Sequence, residues 1–169
     1  MRALIAICMS AAAAVALAHW PAPPLPDGVK ADKVVVKKNA RLLALYRGDH
    51  LLRAYRVALG GDAIGPKHEE GDERTPEGRY VLDYRNPHSA YHLSLHVSYP
   101  SGADKAAAKA RGAHPGGLIM VHGLKDDLRL LGRAHVLLDW TDGCVAVTNR
   151  EIEEIWRVVP DGTPIVLEP

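Results

Sequence analysis

The chain has 169 residues, of which 47% are hydrophobic and 24% are charged, and its formal net charge is +1 at pH 7. This length suits a single domain with an adequate core. Lys and Arg number 21 against 20 Asp and Glu, and they form no basic stripe of the kind that binds nucleic acid. The composition therefore predicts one globular domain and excludes nucleic acid as the expected partner.

The N-terminus has the pattern of an export signal. One early arginine is followed by an apolar run from Ala3 to Ala18, which ends in small residues before a proline-rich stretch. The run falls short of the roughly 20 residues that a membrane-spanning helix needs, so an uncleaved anchor is disfavoured. We expect cleavage after Ala18 or Ala22, which makes residues 1–22 a signal and leader and residues 23–169 an exported domain.

Short strands dominate the first half of this domain. Five strands are predicted over residues 32–38, 41–47, 50–60, 78–85 and 90–98. A tight turn joins the second strand to the third, and the turn-forming Asn-Pro-His-Ser sequence separates the fourth from the fifth. Closely spaced strands with few helices predict a mainly β fold with short helices, either a sandwich or a small barrel.

The fifth strand alternates apolar and polar residues. Its polar side chains, which include His92, Ser94 and His96, share one face that either meets solvent or lines a groove. Along a strand, the two histidines would lie about 13 Å apart. They could not both ligate one zinc ion at about 2 Å, so no metal site is predicted.

Two helices and two strands complete the prediction. The alanine-rich residues 103–111 predict a short helix, and the apolar residues 118–122 predict a buried strand that ends at His122. Thr148 and Glu151 stand at capping-box spacing, which places a helix start there. Residues 163–169 predict the last strand.

Cys144 is the candidate for chemistry. Signal removal takes away Cys8, the other cysteine of the chain, and an odd cysteine in an exported protein indicates a reactive thiol or an intermolecular disulfide. A buried inert cysteine is the ordinary alternative. The polar neighbours Thr141, Asp142 and Gly143 disfavour inert packing, and the lack of a second cysteine disfavours a metal ligand.

A cysteine nucleophile needs a nearby base, because a free thiol is only a few per cent thiolate at neutral pH. His122 has the best context of the nine histidines, since it ends an apolar strand and precedes Gly123. His135 is nearer to Cys144 in sequence but lies in a loop of mixed character. The dipole of the helix predicted from Arg150 onward would also favour the thiolate. A structural role for His122 stays equally open at this point.

Three motifs together resemble the L,D-transpeptidase family with its YkuD-type catalytic domain. "IMVHG" carries the histidine-glycine strand end, "TDGC" is similar to the family's Ser/Thr-x-Gly-Cys motif, and "GDERTPEGRY" resembles its Thr-Pro-x-Gly segment. The resemblance extends over residues 32–168. It is strongest for a proteobacterial branch with a long insertion between the histidine and the cysteine.

The resemblance implies a YkuD-like β-sandwich or small barrel and a monomeric periplasmic enzyme that acts on peptidoglycan stem peptides without cofactor or metal. Cys144 would form a thioester at the L-centre of a diaminopimelate-type residue, with His122 as its base. Backbone N–H groups at Gly143 and Cys144 would stabilise the oxyanion. A backbone carbonyl is the first candidate for orienting His122, followed by Asp139 and Asp142.

Substrate contacts are expected from residues near the motifs and from arginines, whose planar fork matches a carboxylate. The candidates are Arg74, Arg79, Gly123, Arg133, Thr141 and Asp142, with Lys125 as a further cation. For each cation, an ordinary solvated charge is the competing interpretation.

The chain also departs from the family pattern. Asp142 stands where the family often has histidine, Ala146 stands where it often has arginine, and residues 124–140 form an insertion expected to be a lid or pocket wall. The acyl acceptor therefore stays open between a second stem amine, a lipoprotein lysine and water. A hydrolase that trims stems or detaches a lysine-linked, wall-attached lipoprotein, a silent wall-binding module and a general cysteine peptidase are the alternatives.

Overall fold

A computed structural model describes residues 23–169, so the predicted signal and leader, residues 1–22, lies outside the described residues. The strands are β1 Lys33–Lys37, β2 Leu42–Arg47, β3 His50–Arg56, β4 Gly78–Ser89, β5 His92–Val97, β6 Met120–His122, β7 Val145–Ala146 and β8 Thr163–Glu168. The helices are α1 Gly102–Ala110, a 3₁₀ segment Asp126–Leu137 and α2 Asn149–Val158. Across residues 23–169, no helix combines the length and apolar character required to cross a bilayer.

The eight strands form one curled sheet in the order β3-β2-β1-β8-β4-β5-β6-β7. Beyond the end of β3, the chain bends back to β7, because Ala58 pairs with Ala146 and Gly60 pairs with Thr141. These two bridges bring the edges of the sheet together into a half-barrel. The predicted mainly β fold is confirmed.

The core fills the concave side of this sheet. Buried Val, Leu and Ile side chains from the strands meet one face of α2, where Ile152, Ile155 and Val158 are at most 1% exposed. This spacing places all three residues on the same side of a helix. Thr148 and Glu151 form the predicted capping box, which fixes the start of α2 just after β7.

One predicted turn is wrong. The Asn-Pro-His-Ser sequence belongs to β4, and the chain reverses at residues 90–91 instead. The pairing of β4 with β5 shifts register between Asn86 and Ser89. This irregularity accommodates Pro87, which has no N–H for the ladder. β3 is also shorter than predicted, because residues 57–60 leave β2 to pair with the other edge of the sheet.

A buried lysine fastens the Thr-Pro-x-Gly loop beneath the site. Lys38 is 1% exposed, and its Nζ donates to the carbonyls of Gly65 and Thr75 and to a carboxylate oxygen of Glu77. The hydroxyl of Thr75 in turn accepts the N–H of Gly60 at 3.1 Å. Because Gly60 pairs with Thr141, these contacts hold the loop next to the segment that leads to Cys144.

Candidate active site

Two adjacent strands bring Cys144 and His122 into one cavity. β7 begins directly after Cys144 and runs parallel to β6, with Val145 beside Val121 and Ala146 beside His122. Both candidate residues line a cavity of about 320 Å³. The sheet register therefore places the thiol and the imidazole in the same cavity.

A closed turn presents the thiol. The Thr141 hydroxyl donates to the Cys144 carbonyl at 2.9 Å and accepts the Gly143 N–H at 3.2 Å. Gly143 has φ +114, and a Cβ there would lie 2.5 Å from the Arg74 carbonyl oxygen. Only glycine satisfies both conditions. Since the Gly143 N–H is occupied by Thr141, the better oxyanion donor of the predicted pair is the N–H of Cys144.

The Cys144 thiol is protonated in its resting environment. Burial raises the pKa of Cys144, and the Asp142 carboxylate adds to this, whereas the Met120 N–H and the Lys67 ammonium act in the opposite direction. The sulfur accepts the Met120 N–H at 3.4 Å and faces the Leu118 carbonyl at 3.7 Å. A neutral thiol needs a base at the moment of attack.

His122 is a neutral imidazole with a defined tautomer. It is 3% exposed, and burial lowers the pKa of His122 to about 4. Its Nδ1 lies 2.6 Å from the Gly123 carbonyl oxygen. A carbonyl can only accept, so Nδ1 carries the proton and Nε2 keeps a lone pair. Within residues 23–169 no hydrogen bond joins this ring to the Cys144 thiol at rest.

The hydrogen-bond partner of His122 Nδ1 is the backbone carbonyl of Gly123, which is the first of the orienting groups that the sequence suggests. Asp139 is engaged elsewhere, because it pairs with Arg41 at 2.7 Å and accepts the Leu59 N–H. Asp142 is exposed at the cavity rim. Neither aspartate is the hydrogen-bond partner of Nδ1.

Two aromatic side chains enclose the imidazole. The ring centroid of His122 lies 4.4 Å from that of Tyr91 and 5.9 Å from that of Trp140. Both rings line the cavity, and Lys125 Nζ lies 4.9 Å from the Tyr91 centroid. Neither aromatic was singled out from the sequence. Trp140 could have been, since it immediately precedes the Thr141 motif.

The polar face of β5 is divided between the two predicted environments. Ser94 is 1% exposed, pairs in register with His122 and lines the cavity. His92 and His96 instead bind the carboxylates of Glu153 and Asp83 at 2.8 and 2.7 Å. The groove interpretation therefore holds for Ser94, while the histidines have separate partners.

Of the predicted substrate contacts, Thr141 and Asp142 line the Cys144 cavity and the others do not. Arg74 pairs with Asp62 at 2.8 Å, and Arg79 is exposed on β4 beside β8. The side chains of both arginines therefore lie outside the cavity lining, although the Arg74 backbone contacts Gly143. The substrate contact predicted for each of them is therefore not supported by its placement.

Gly123 and Arg133 do not line the Cys144 cavity either. A Cβ at Gly123 would lie 2.7 Å from the Asn149 side chain, so Gly123 is needed for packing against α2. Arg133 lines a second cavity together with other residues of the insertion. The insertion predicted as a lid or wall thus contributes to the wall of that second cavity, whereas its last residue, Trp140, lines the Cys144 cavity.

The sequence profile of the L,D-transpeptidase catalytic domain, YkuD, matches residues 31–167. The chain belongs to this family. L,D-transpeptidase YafK of Escherichia coli K12 is 29% identical over 132 residues, which cover 75% of this chain and 46% of that protein. L,D-transpeptidase YkuD of Bacillus licheniformis is 27% identical over 142 residues, 81% of this chain and 66% of that protein.

A solved structure shares the same fold. The helical cell shape determining protein Pgp2 from Campylobacter jejuni aligns with a TM-score of 0.62 and 26% identity, over 86% of this chain and 50% of Pgp2. The chain thus spans about half the length of YafK and of Pgp2. The family membership predicted from the "HG", "TDGC" and "TPEG" motifs is confirmed.

Proposed function

We propose that this protein is an exported, periplasmic L,D-transpeptidase that transfers peptidoglycan stem peptides through a thioester on Cys144, with His122 as the general base. The observation that carries the proposal is the shared cavity of a neutral thiol and an imidazole whose Nε2 is left as an acceptor. Membership in the L,D-transpeptidase family supports the reaction class. The similarity to Pgp2 supports a role in cell shape.

The first half-reaction forms the thioester. The thiol turns from the Leu118 carbonyl toward His122, and Nε2 takes its proton as the sulfur attacks the carbonyl carbon at the L-centre of the stem. The carbonyl oxygen becomes an oxyanion, which the Cys144 N–H stabilises. The intermediate collapses when Nε2 returns the proton to the leaving amine of the terminal D-residue.

The second half-reaction releases the acyl group. Nε2 removes a proton from the incoming nucleophile, the new bond forms at the thioester carbon, and the thiolate leaves and is reprotonated. A stem amine as nucleophile gives a cross-link, a lipoprotein lysine gives an attached lipoprotein, and water gives a trimmed stem. In both steps, the Tyr91 and Trp140 rings exclude water from the imidazole and hold its orientation.

The test follows the products of purified wild type and Cys144→Ala by mass spectrometry. One substrate is a disaccharide-tetrapeptide, and the other is a stem carrying an amide-linked lysine peptide. Loss of the terminal D-alanine with dimer formation, absent in the variant, is the expected result. Release of the lysine peptide alone would make the protein a detaching hydrolase. No turnover of either substrate would leave a silent wall-binding module.

A further inference from the structure

A second cavity, of about 490 Å³, lies between β3, the 3₁₀ segment and the N-terminus of α2. It shares no lining residue with the Cys144 cavity, so it is a separate feature of the molecule. Four arginines line it: Arg53, Arg56, Arg133 and Arg150. A wall this rich in guanidinium groups calls for a chemical explanation.

The wall of this cavity also contains a buried histidine whose polar atoms have no partner. His135 is 4% exposed, and neither Nδ1 nor Nε2 has a hydrogen-bond partner within residues 23–169. The buried Nε of Arg53 also makes no hydrogen bond, although it lies 3.5 Å from a carboxylate oxygen of Glu154. Unpaired buried polar atoms are destabilising and uncommon in folded proteins. A ligand with an acceptor oxygen would give the N–H of the His135 ring a partner.

The acidic residues of the same wall are already engaged. Glu151 accepts the Thr148 N–H at 2.9 Å, and Glu154 accepts the Tyr55 hydroxyl at 2.7 Å. Glu153 contacts a histidine imidazole at 2.8 Å. Glu154 also lies 3.5 Å from Arg53 Nε and offsets the charge of that arginine. These carboxylates are therefore held by the fold rather than free to bind a cationic ligand.

The cations are less committed. Arg150 forms no hydrogen bond or ion pair with the described part of the chain, and Arg133 comes no nearer to Glu151 than 3.8 Å. Arg56 donates to a backbone carbonyl, which leaves its charge unpaired. The first turn of the ten-residue helix α2 adds its positive end to the same region. The uncompensated charge at this cavity is positive.

We propose that this cavity binds a carboxylate, as presented by a free amino acid or by the C-terminus of a short peptide. The planar forks of Arg133 and Arg150 match the two oxygens of a carboxylate, and the His135 ring offers at least one N–H donor. The volume lies within the range of pockets that hold small organic ligands. The site is separate from Cys144, so its occupancy can be measured without catalysis.

Binding is measured by calorimetry and by ¹⁵N NMR of histidine side chains, on protein whose Cys144 has been alkylated. The probes are N-acetyl-D-alanine and N-acetyl-D-alaninamide, which differ in the carboxylate. We expect the acid to bind at least tenfold more tightly than the amide and to shift the ring nitrogens of His135. Free D-alanine as a third probe distinguishes the two sources: tighter binding than the acetylated form indicates a free amino acid, and weaker binding indicates a peptide terminus.

Matched variants locate the site. Arg133→Gln and Arg150→Gln should each weaken binding of the acid about tenfold, because each removes one charge-assisted contact. Arg129→Gln, an exposed arginine on the same 3₁₀ segment but outside the cavity wall, should leave binding unchanged. Thermal denaturation checks that all three variants fold.

Three outcomes overturn the proposal. The first is equal affinity for the acid and the amide, and the second is equal loss of binding in Arg129→Gln and Arg150→Gln. The third is inorganic phosphate binding as tightly as N-acetyl-D-alanine, which would make the site a general anion site. None of these outcomes bears on the thioester chemistry of Cys144, whose failure would be seen as loss of turnover instead.

Discussion

Three glycine-to-alanine variants separate the physical constraints on the Cys144 turn. At Gly143, an added Cβ meets the Arg74 carbonyl oxygen at 2.5 Å, and φ is +114. At Gly60, the added Cβ meets the Glu73 carbonyl oxygen at 2.0 Å without a positive φ. At Gly162, φ is +85 and nothing lies within 4 Å. Gly143 is thus under both constraints, Gly60 under the close contact alone, and Gly162 under the backbone conformation alone.

The magnitudes follow from these constraints. Gly162→Ala should lower the free energy of unfolding by about 1 kcal/mol, the lower end for a strained backbone conformation. Gly60→Ala should lower it by about 3 kcal/mol, the upper end for overpacking, and Gly143→Ala by about 4 kcal/mol from both effects. At roughly 2–4 °C per kcal/mol, the melting temperature of Gly143→Ala falls by about 8–16 °C.

The assay is thermal and urea denaturation followed by circular dichroism, with iodoacetamide alkylation of Cys144 as the readout of the turn. Gly143→Ala should alter the alkylation rate as well as the stability, because the Arg74 carbonyl must move or the turn must open. Gly162→Ala should leave alkylation unchanged. If Gly143→Ala proved no more destabilising than Gly162→Ala, the close packing of the turn on Arg74 would not be a constraint and the reasoning would fail.

Three further predictions test the site. The alkylation rate of Cys144 should keep rising with pH beyond about 9, since its pKa is raised; a plateau reached between pH 6 and 8 would instead mean a preformed thiolate. Thr141→Val removes both hydrogen bonds of the turn and should lower the free energy of unfolding by about 2 kcal/mol, whereas Thr141→Ser should retain it. The free energy of unfolding should fall as the pH drops from about 6.5 to 4, because the unfolded chain protonates His122 and His135 while the fold, in which the pKa of each is about 4, keeps them neutral. Urea titrations at pH 7 and pH 5 measure this loss of stability. A His135→Phe variant that lost as much stability between pH 7 and pH 5 as the wild type would contradict the prediction.

Local patterns carried much of the prediction. Apolar runs predict β1, β2, β6 and β8 because the burial of strand residues is visible within a few neighbouring positions. The Thr148 capping box predicts the start of α2 because the interaction of Thr148 with Glu151 spans a single helical turn. The position of His122 at a strand end follows from the same local pattern. Each of these depends on neighbours within a few residues.

The features that the sequence did not predict depend on tertiary contacts. Lys38 follows another lysine and has the sequence pattern of a surface residue, but acceptors from the 65–77 loop bury it. Arg74 is a plausible carboxylate ligand until Asp62, twelve residues away, pairs with it. Tyr91 reaches His122 only because β5 and β6 are neighbours in the sheet. No local period encodes such pairings.

The most direct test of the account is the intact mass of the protein after a single turnover with a disaccharide-tetrapeptide, quenched in acid. We predict a mass gain equal to the disaccharide-tripeptide acyl group that remains once the terminal D-residue has left, mapped by peptide sequencing to Cys144 and reversed by hydroxylamine. His122→Gln should slow its formation by at least a hundredfold while the fold persists. An adduct on another residue, or turnover without any adduct on Cys144, would contradict the thioester mechanism.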